Sequence, residues 1–158
     1  MSKALVAYFS ASGVTASVAE RMATSIGADL YEIKPEQPYT SDDLNWQNRE
    51  SRSSVEMKDK SSRPGIENKV DDMEQYQIVF VGFPIWWYRE PSIIDTFIEA
   101  YDFAGKTIVT FATSGGSGLG ESTSNIQALA PEANVIDGKK FAGTVSETEL
   151  KTWAERYL

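Results

Sequence analysis

Ser10-Ala11-Ser12-Gly13-Val14-Thr15 gathers three hydroxyls and a glycine directly ahead of an amphipathic run, and five of these six residues are small or hydroxyl-bearing. A loop of this kind at a helix start presents unpaired N–H groups and the positive end of the helix dipole. It can hold a phosphate with no lysine or arginine. A Ser or Thr that merely caps the helix would give a similar composition. The strand-loop-helix setting favours the anion site.

A second cluster, Pro84-Ile85-Trp86-Trp87-Tyr88, sets three consecutive aromatics after an apolar run. The carboxyl end of a buried parallel strand is where open α/β sheets bind ligands. Large rings in a loop have no core to enter, and a flat partner satisfies them by stacking. The bland alternative folds both indoles back over neighbouring helices. The third cluster, Thr113-Ser114-Gly115-Gly116-Ser117-Gly118-Leu119-Gly120, has four glycines in its last six residues. Such a backbone approaches a ligand closely and offers free amides. Its G-x-G-x-G spacing, after a fourth strand, is not the dinucleotide fingerprint. Gly105-Lys106-Thr107 fails as a phosphate-binding P-loop because Ala100 stands where the first glycine belongs.

These loops need strands and helices to position them. Ala4 to Phe9, Gln77 to Phe83 and Thr107 to Ala112 are nearly continuous apolar runs, as strands buried on both faces should be. Leu30 to Ile33 reads as a short strand and Asn134 to Asp137 as the start of a weaker one. Val14, Val18, Met22 and Ile26 mark one helix face, ended by Gly27. Pro91 opens a helix carrying Ile94, Phe97, Ile98 and Tyr101. Glu121 to Ala130 and Glu147 to Tyr157 read as two more, with Trp153 in the core. The alternation predicts an α/β fold, a doubly wound five-stranded parallel sheet of order 2-1-3-4-5 with helices on both faces. A single domain over residues 1–158 is expected. Lys34 to Tyr76 departs from the pattern: 17 of its 43 residues are charged, so it reads as a crossover of short helices and surface loop. Trp46 within it either anchors the segment or joins the ligand's surroundings. Lys139-Lys140 reads as a solvated turn, and Asp71-Asp72 as a cap or solvated pair.

In that strand order the three loops surround one topological switch point. One phosphate and one flat ring, with amides along its edge, describe flavin mononucleotide (FMN) better than a dinucleotide. The composition removes rivals. With no Cys and no His, thiolate nucleophiles, zinc ribbons, iron–sulfur clusters, Ser-His-Asp triads and histidine metal sites are excluded. A net charge of -8 repels nucleic acid and anionic membrane surfaces and favours basic partner proteins. No stretch reaches the roughly 18 apolar residues of a membrane span. The N-terminal apolar run is too short for a signal peptide, so the cytoplasm is the expected compartment.

On these residues the chain resembles the flavodoxins, and more closely the short flavodoxin-like branch whose third-strand loop carries Pro-Ile-Trp-Trp. The family's phosphate-loop pattern, an aromatic followed by S/T-x-S/T-G-x-T, is met by Tyr8 and by Ser10 to Thr15, and Ala19 also matches. Ala7 and Met22 depart from bulkier or branched aliphatic positions. The blocks Gly82 to Trp87, Asp102 to Thr107 and Thr113 to Gly118 follow that branch in order and spacing. The resemblance implies an FMN-binding domain. In it Ser10, Ala11, Ser12, Gly13, Val14 and Thr15 would bind the phosphate, while Pro84, Ile85, Trp86 and Trp87, with Thr113, Ser114, Gly115, Gly116 and Gly118, would flank the isoalloxazine. Tyr88 stands where the branch commonly has Gly, which makes a redox-linked peptide flip in this loop costlier.

The expected function is a low-potential electron carrier that docks redox partner proteins with basic surfaces. Arg89 is the one cation in the flavin-facing loops. An FMN-dependent NAD(P)H:quinone or nitro-compound reductase is the alternative, its nicotinamide site built from residues 34–76 and Tyr88 donating the proton. A signalling receiver domain would need acids where Ser10 and Pro84 stand. A flavin-free binding module would stay colourless with FMN.

Overall fold

The computed structural model describes residues 3–86, 89–113 and 119–158. Strands β1 (Lys3–Tyr8), β2 (Asp29–Glu32), β3 (Tyr76–Pro84), β4 (Thr107–Thr113) and β5 (Asn134–Phe141) pair in parallel in the order β2-β1-β3-β4-β5. The order reverses between β1 and β3, as the sequence pattern predicts. Tyr8 stands beside Gly82, and Pro84 beside Thr113, so the three central strands end side by side.

The continuous apolar runs divide by alternation. Leu5 and Ala7 of β1 and Phe9 just after it, with Val79, Val81 and Phe83 of β3, face helix α3 (Ser92–Glu99) and its Ile94, Phe97 and Ile98. Val6, Tyr8, Phe80, Val109 and Phe111 face α1 (Val14–Ile26) and α5 (Glu147–Glu155), where Val18, Met22, Leu150 and Trp153 meet them. Helix α4 (Ser122–Leu129) adds Ile126 to the α3 side. Each side chain of this size, fully buried, contributes about 1.5–3 kcal/mol, and both faces are filled. Among the described residues no helix is long and apolar enough to cross a membrane.

Two expectations need correction. The fifth strand runs to Phe141, so Lys139 and Lys140 lie in a strand and not in a turn. At this sheet edge only part of the strand is covered, and its burial alternates too weakly to read as an apolar run. A register shift between Val109 and Phe111 accommodates it, and a Cβ on Gly138 would lie 1.6 Å from the Thr110 carbonyl oxygen. Pro91 is the residue before α3, not its first turn, and that helix stops at Glu99. The 34–76 crossover holds one helix, α2 (Arg52–Lys58), a 3-10 turn at Met73–Gln75 and otherwise turns and loop. Asn68 pins it to the sheet edge, its amide donating to the Glu32 carbonyl and its carbonyl oxygen accepting from the Tyr31 hydroxyl.

Candidate functional site

The tip of β1 is built to leave donors free. Ser10 Oγ accepts from the Gly13 amide at 3.1 Å, which curls the loop before the helix begins. Gly13 then takes a left-handed conformation, φ 93°, as the residue preceding α1, and among the described residues no side chain caps that end. The capping alternative raised by the sequence therefore fails: Ser10 serves the turn, while the Val14, Thr15 and Ala16 amides donate to no other described residue. No acidic side chain occupies the first turn to neutralise the dipole. Ser12, Gly13 and Val14 are exposed, whereas Thr15 is buried. The Thr15 hydroxyl lies 2.6 Å from that of Thr113, the last residue of β4. The start of α1 and the end of β4, which carry two of the predicted loops, are thus in contact.

The tip of β3 continues the sheet for one more bond, the Ile85 amide donating to the Thr113 carbonyl at 3.2 Å. Trp86 and Arg89 then exchange backbone hydrogen bonds of 3.1 and 3.2 Å. The Trp86 indole stands edge-on to Phe9, centroids 5.7 Å apart, and to Tyr39, 5.5 Å apart. It is half-buried, with one side committed to a three-ring cluster that joins β1, β3 and the 34–76 segment. Trp87, Tyr88, Ser114, Gly115, Gly116, Ser117 and Gly118, named from the sequence, lie outside the described residues.

Arg89 is not a flavin-facing cation. Its guanidinium is buried and donates to the Met57 carbonyl at 3.1 Å, the Glu90 carbonyl at 3.2 Å and Ser92 Oγ at 3.3 Å. The carbonyls at the end of α2 draw it away from the loop, and it ties that helix to the β3 tip.

Beside it lies a cluster the sequence reading missed. Glu90 is fully buried and Asp95 nearly so, and the Arg89 guanidinium is 3.6 Å from each carboxylate. Arg63 reaches within 3.9 Å of Asp95, and the Asn125 amide donates to Glu90 Oε2 at 3.3 Å. Burial, then the neighbouring Asp95 charge, pushes the Glu90 carboxyl up to about 8, and burial raises Asp95 as well. The pair therefore retains a proton near neutral pH. Its signal in the sequence is slight: an acid at position 95 interrupting the otherwise apolar inner face of α3.

Trp46, left open by the sequence, is 68% exposed. It stands at a cavity of about 560 Å3 whose described lining also includes Gln47, Arg49, Ser54, Met57 and Lys58.

A family model described as Flavodoxin matches residues 3–157. Among solved structures, a candidate flavoprotein from Bacteroides eggerthii is 47% identical, with a TM-score of 0.92 over 99% of this chain and 98% of that one. A second from Bacteroides uniformis is 44% identical, at a TM-score of 0.92 and 98% coverage of both chains. A flavoprotein from Lactobacillus acidophilus, solved in complex with FMN, is 23% identical, with a TM-score of 0.71 over 98% of this chain and 99% of that one. At that identity the last likeness shows the fold. No curated protein matches the chain.

Proposed function

The chain belongs to the flavodoxin family, and from that premise we propose that it binds FMN and works as a low-potential electron carrier. The observation that carries this reading is the Thr15–Thr113 contact at the start of α1, which ties the ends of two loop-bearing elements together beside amides that donate to no described residue. The donor set fits a phosphate: the Val14, Thr15 and Ala16 amides, the helix dipole and an open glycine, with hydroxyls from Ser10 and Ser12 nearby. The FMN complex of the Lactobacillus neighbour supports the choice of cofactor.

In this proposal Ser10, Ala11, Ser12, Gly13, Val14 and Thr15 hold the phosphate. Pro84, Ile85, Trp86 and Thr113, with Trp87, Ser114, Gly115, Gly116 and Gly118, border the ring. FMN supplies one- and two-electron redox chemistry when bound. The chain's part is to orient it and set the energy of adding charge. With Arg89 withdrawn to α2, the described residues of the three loops contain no lysine or arginine facing the ring, and the net charge is -8. That field opposes further negative charge and so holds the potential low. The same acidic surface steers basic partner proteins.

The test is an anaerobic titration of the FMN-loaded protein. A flavin spectrum and a midpoint below that of free FMN are expected, and a midpoint at or above it overturns the carrier reading. One observation favours a reductase instead: the Trp46 cavity gives the 34–76 segment room for a small molecule. Sustained NADPH oxidation in the presence of a quinone would establish that activity.

A further inference from the structure

The Trp46 cavity has features that the FMN reading does not use. None of its described lining residues belongs to the Ser10–Thr15 loop, to Pro84–Trp86 or to Thr113; all come from α2 and the loop before it. The volume of about 560 Å3 falls in the range of small-molecule sites, roughly 300–1,000 Å3.

Its described lining combines an exposed ring with positive charge. Trp46 is the most exposed large apolar side chain among the described residues, and Met57, nearly buried, lies in the same lining. An indole left in water gains by covering its face with another flat ring. The charged groups in the described lining are Arg49 and Lys58, both cationic, in a chain whose net charge is -8. Their acidic sequence neighbours Glu50 and Asp59 are absent from the described lining, and the Asp59 carboxylate is turned to the Ser61 amide and hydroxyl.

The frame is also held in place. Lys58 Nζ donates to the Arg49 carbonyl at 3.2 Å, linking the loop to the end of α2. Ser51 caps the start of that helix through the Ser54 amide. At the other side, Arg89 donates to the Met57 carbonyl and Ser92 Oγ donates to the Glu56 carbonyl at 3.2 Å, fixing α2 against the β3 tip. A cavity on so braced a helix spends little binding energy on ordering its walls.

We propose that this cavity is a second binding site, for a small planar aromatic molecule bearing a negative group: Trp46 stacks on the ring, and Arg49 and Lys58 engage the charge. The inference goes beyond FMN binding and does not depend on it.

Isothermal titration of the FMN-loaded protein at low salt tests it with three probes: naphthalene-2-sulfonate, neutral 2-naphthol, and methanesulfonate, which has the charge without the ring. The naphthalenesulfonate should bind about tenfold more tightly than 2-naphthol, and methanesulfonate should give no measurable heat. Trp46→Ala should weaken both naphthalenes about tenfold, while Arg49→Glu, whose backbone carbonyl still accepts from Lys58, should weaken only the sulfonate by that factor. These side chains are on the surface, so the variants fold, and thermal melts confirm it. Equal affinity for the two naphthalenes, no binding, or indifference to Trp46→Ala overturns the proposal. So does displacement of the probe by FMN, which would make the cavity part of the cofactor's own site. A protein that never acquires a flavin spectrum fails the FMN reading alone, and the same titration is then run on the protein as purified.

Discussion

The Thr15 and Thr113 hydroxyls, 98 positions apart in sequence, lie 2.6 Å from each other in a buried pair. One belongs to the first turn of α1 and the other ends β4, a strand that is not β1's neighbour in the sheet. The bond therefore spans the end of β3 and fixes the helix start over the place where all three strands finish.

Thr15→Val and Thr113→Val test that link. Either change leaves the partner hydroxyl buried without its hydrogen bond, at a cost of about 1–3 kcal/mol. The double variant should be less destabilised than the two single losses added together, because no orphan remains. Urea unfolding gives the stabilities and fluorescence titration the FMN affinity. Strictly additive losses would mean that the pair does not couple the two loops.

Gly13→Ala addresses the helix start from the backbone side. A Cβ there meets nothing within 4 Å, so space is not the obstacle. The left-handed φ of 93° is, and a residue with a Cβ pays about 1–2 kcal/mol to hold it. The variant should lose about that much stability, or relax the turn and misalign the Val14 and Thr15 amides. Weaker FMN binding at near-normal melting temperature would report the second outcome. Gly13→Asn should fall between wild type and Ala.

How much of this was legible beforehand depends on whether neighbours or distant residues decide a position. β1, β3 and β4 are covered on both faces, so their apolar runs announced them. β5 was half hidden, because an edge strand needs no continuous run and Gly138 interrupts it where the Thr110 carbonyl leaves no room for a Cβ. The Ser10–Thr15 loop was readable because strand, turn and helix follow one another without a break from Lys3 to Ile26. Arg89 was misread for the opposite reason: its direction is set by the Met57 carbonyl, 32 positions earlier. The Glu90–Asp95 pair acquires its character only from burial that the fold imposes.

That pair makes stability depend on pH in a definite direction. Glu90 keeps its proton up to about 8 in the folded state, against an ordinary value of 4.5 in the unfolded chain. Between those values the native state holds a proton that the unfolded state has released, so raising the pH favours unfolding. The contribution is complete below pH 4.5 and is lost as the pH climbs through 8. Asp95, also raised, acts in the same sense, while the positive charges of Arg63 and Arg89 beside it partly offset the loss. Glu90→Gln should flatten the decline in melting temperature between pH 5 and pH 8. An unchanged slope in that variant would show that Glu90 is already ionised in the folded protein at pH 5.

Gly82 and Phe111 offer a last test, because they link the packing of the central strands to the position of the site. They are register partners in β3 and β4, and a Cβ on Gly82 would fall 2.1 Å from Phe111 Cζ, deep in a filled core. Gly82→Ala must therefore push the ring or the strands apart, at a cost of about 1–3 kcal/mol. The Gly82 carbonyl also accepts from the Phe9 amide at 3.0 Å, at the point where β1 leaves the sheet for the Ser10–Thr15 loop. Displacement there should carry into the loop and weaken FMN binding as well as stability. Adding Phe111→Leu to Gly82→Ala makes room, so the double variant should regain both in part, although Phe111→Leu alone is destabilising. If stability recovers and FMN affinity does not, the strand contact and the loop geometry are independent.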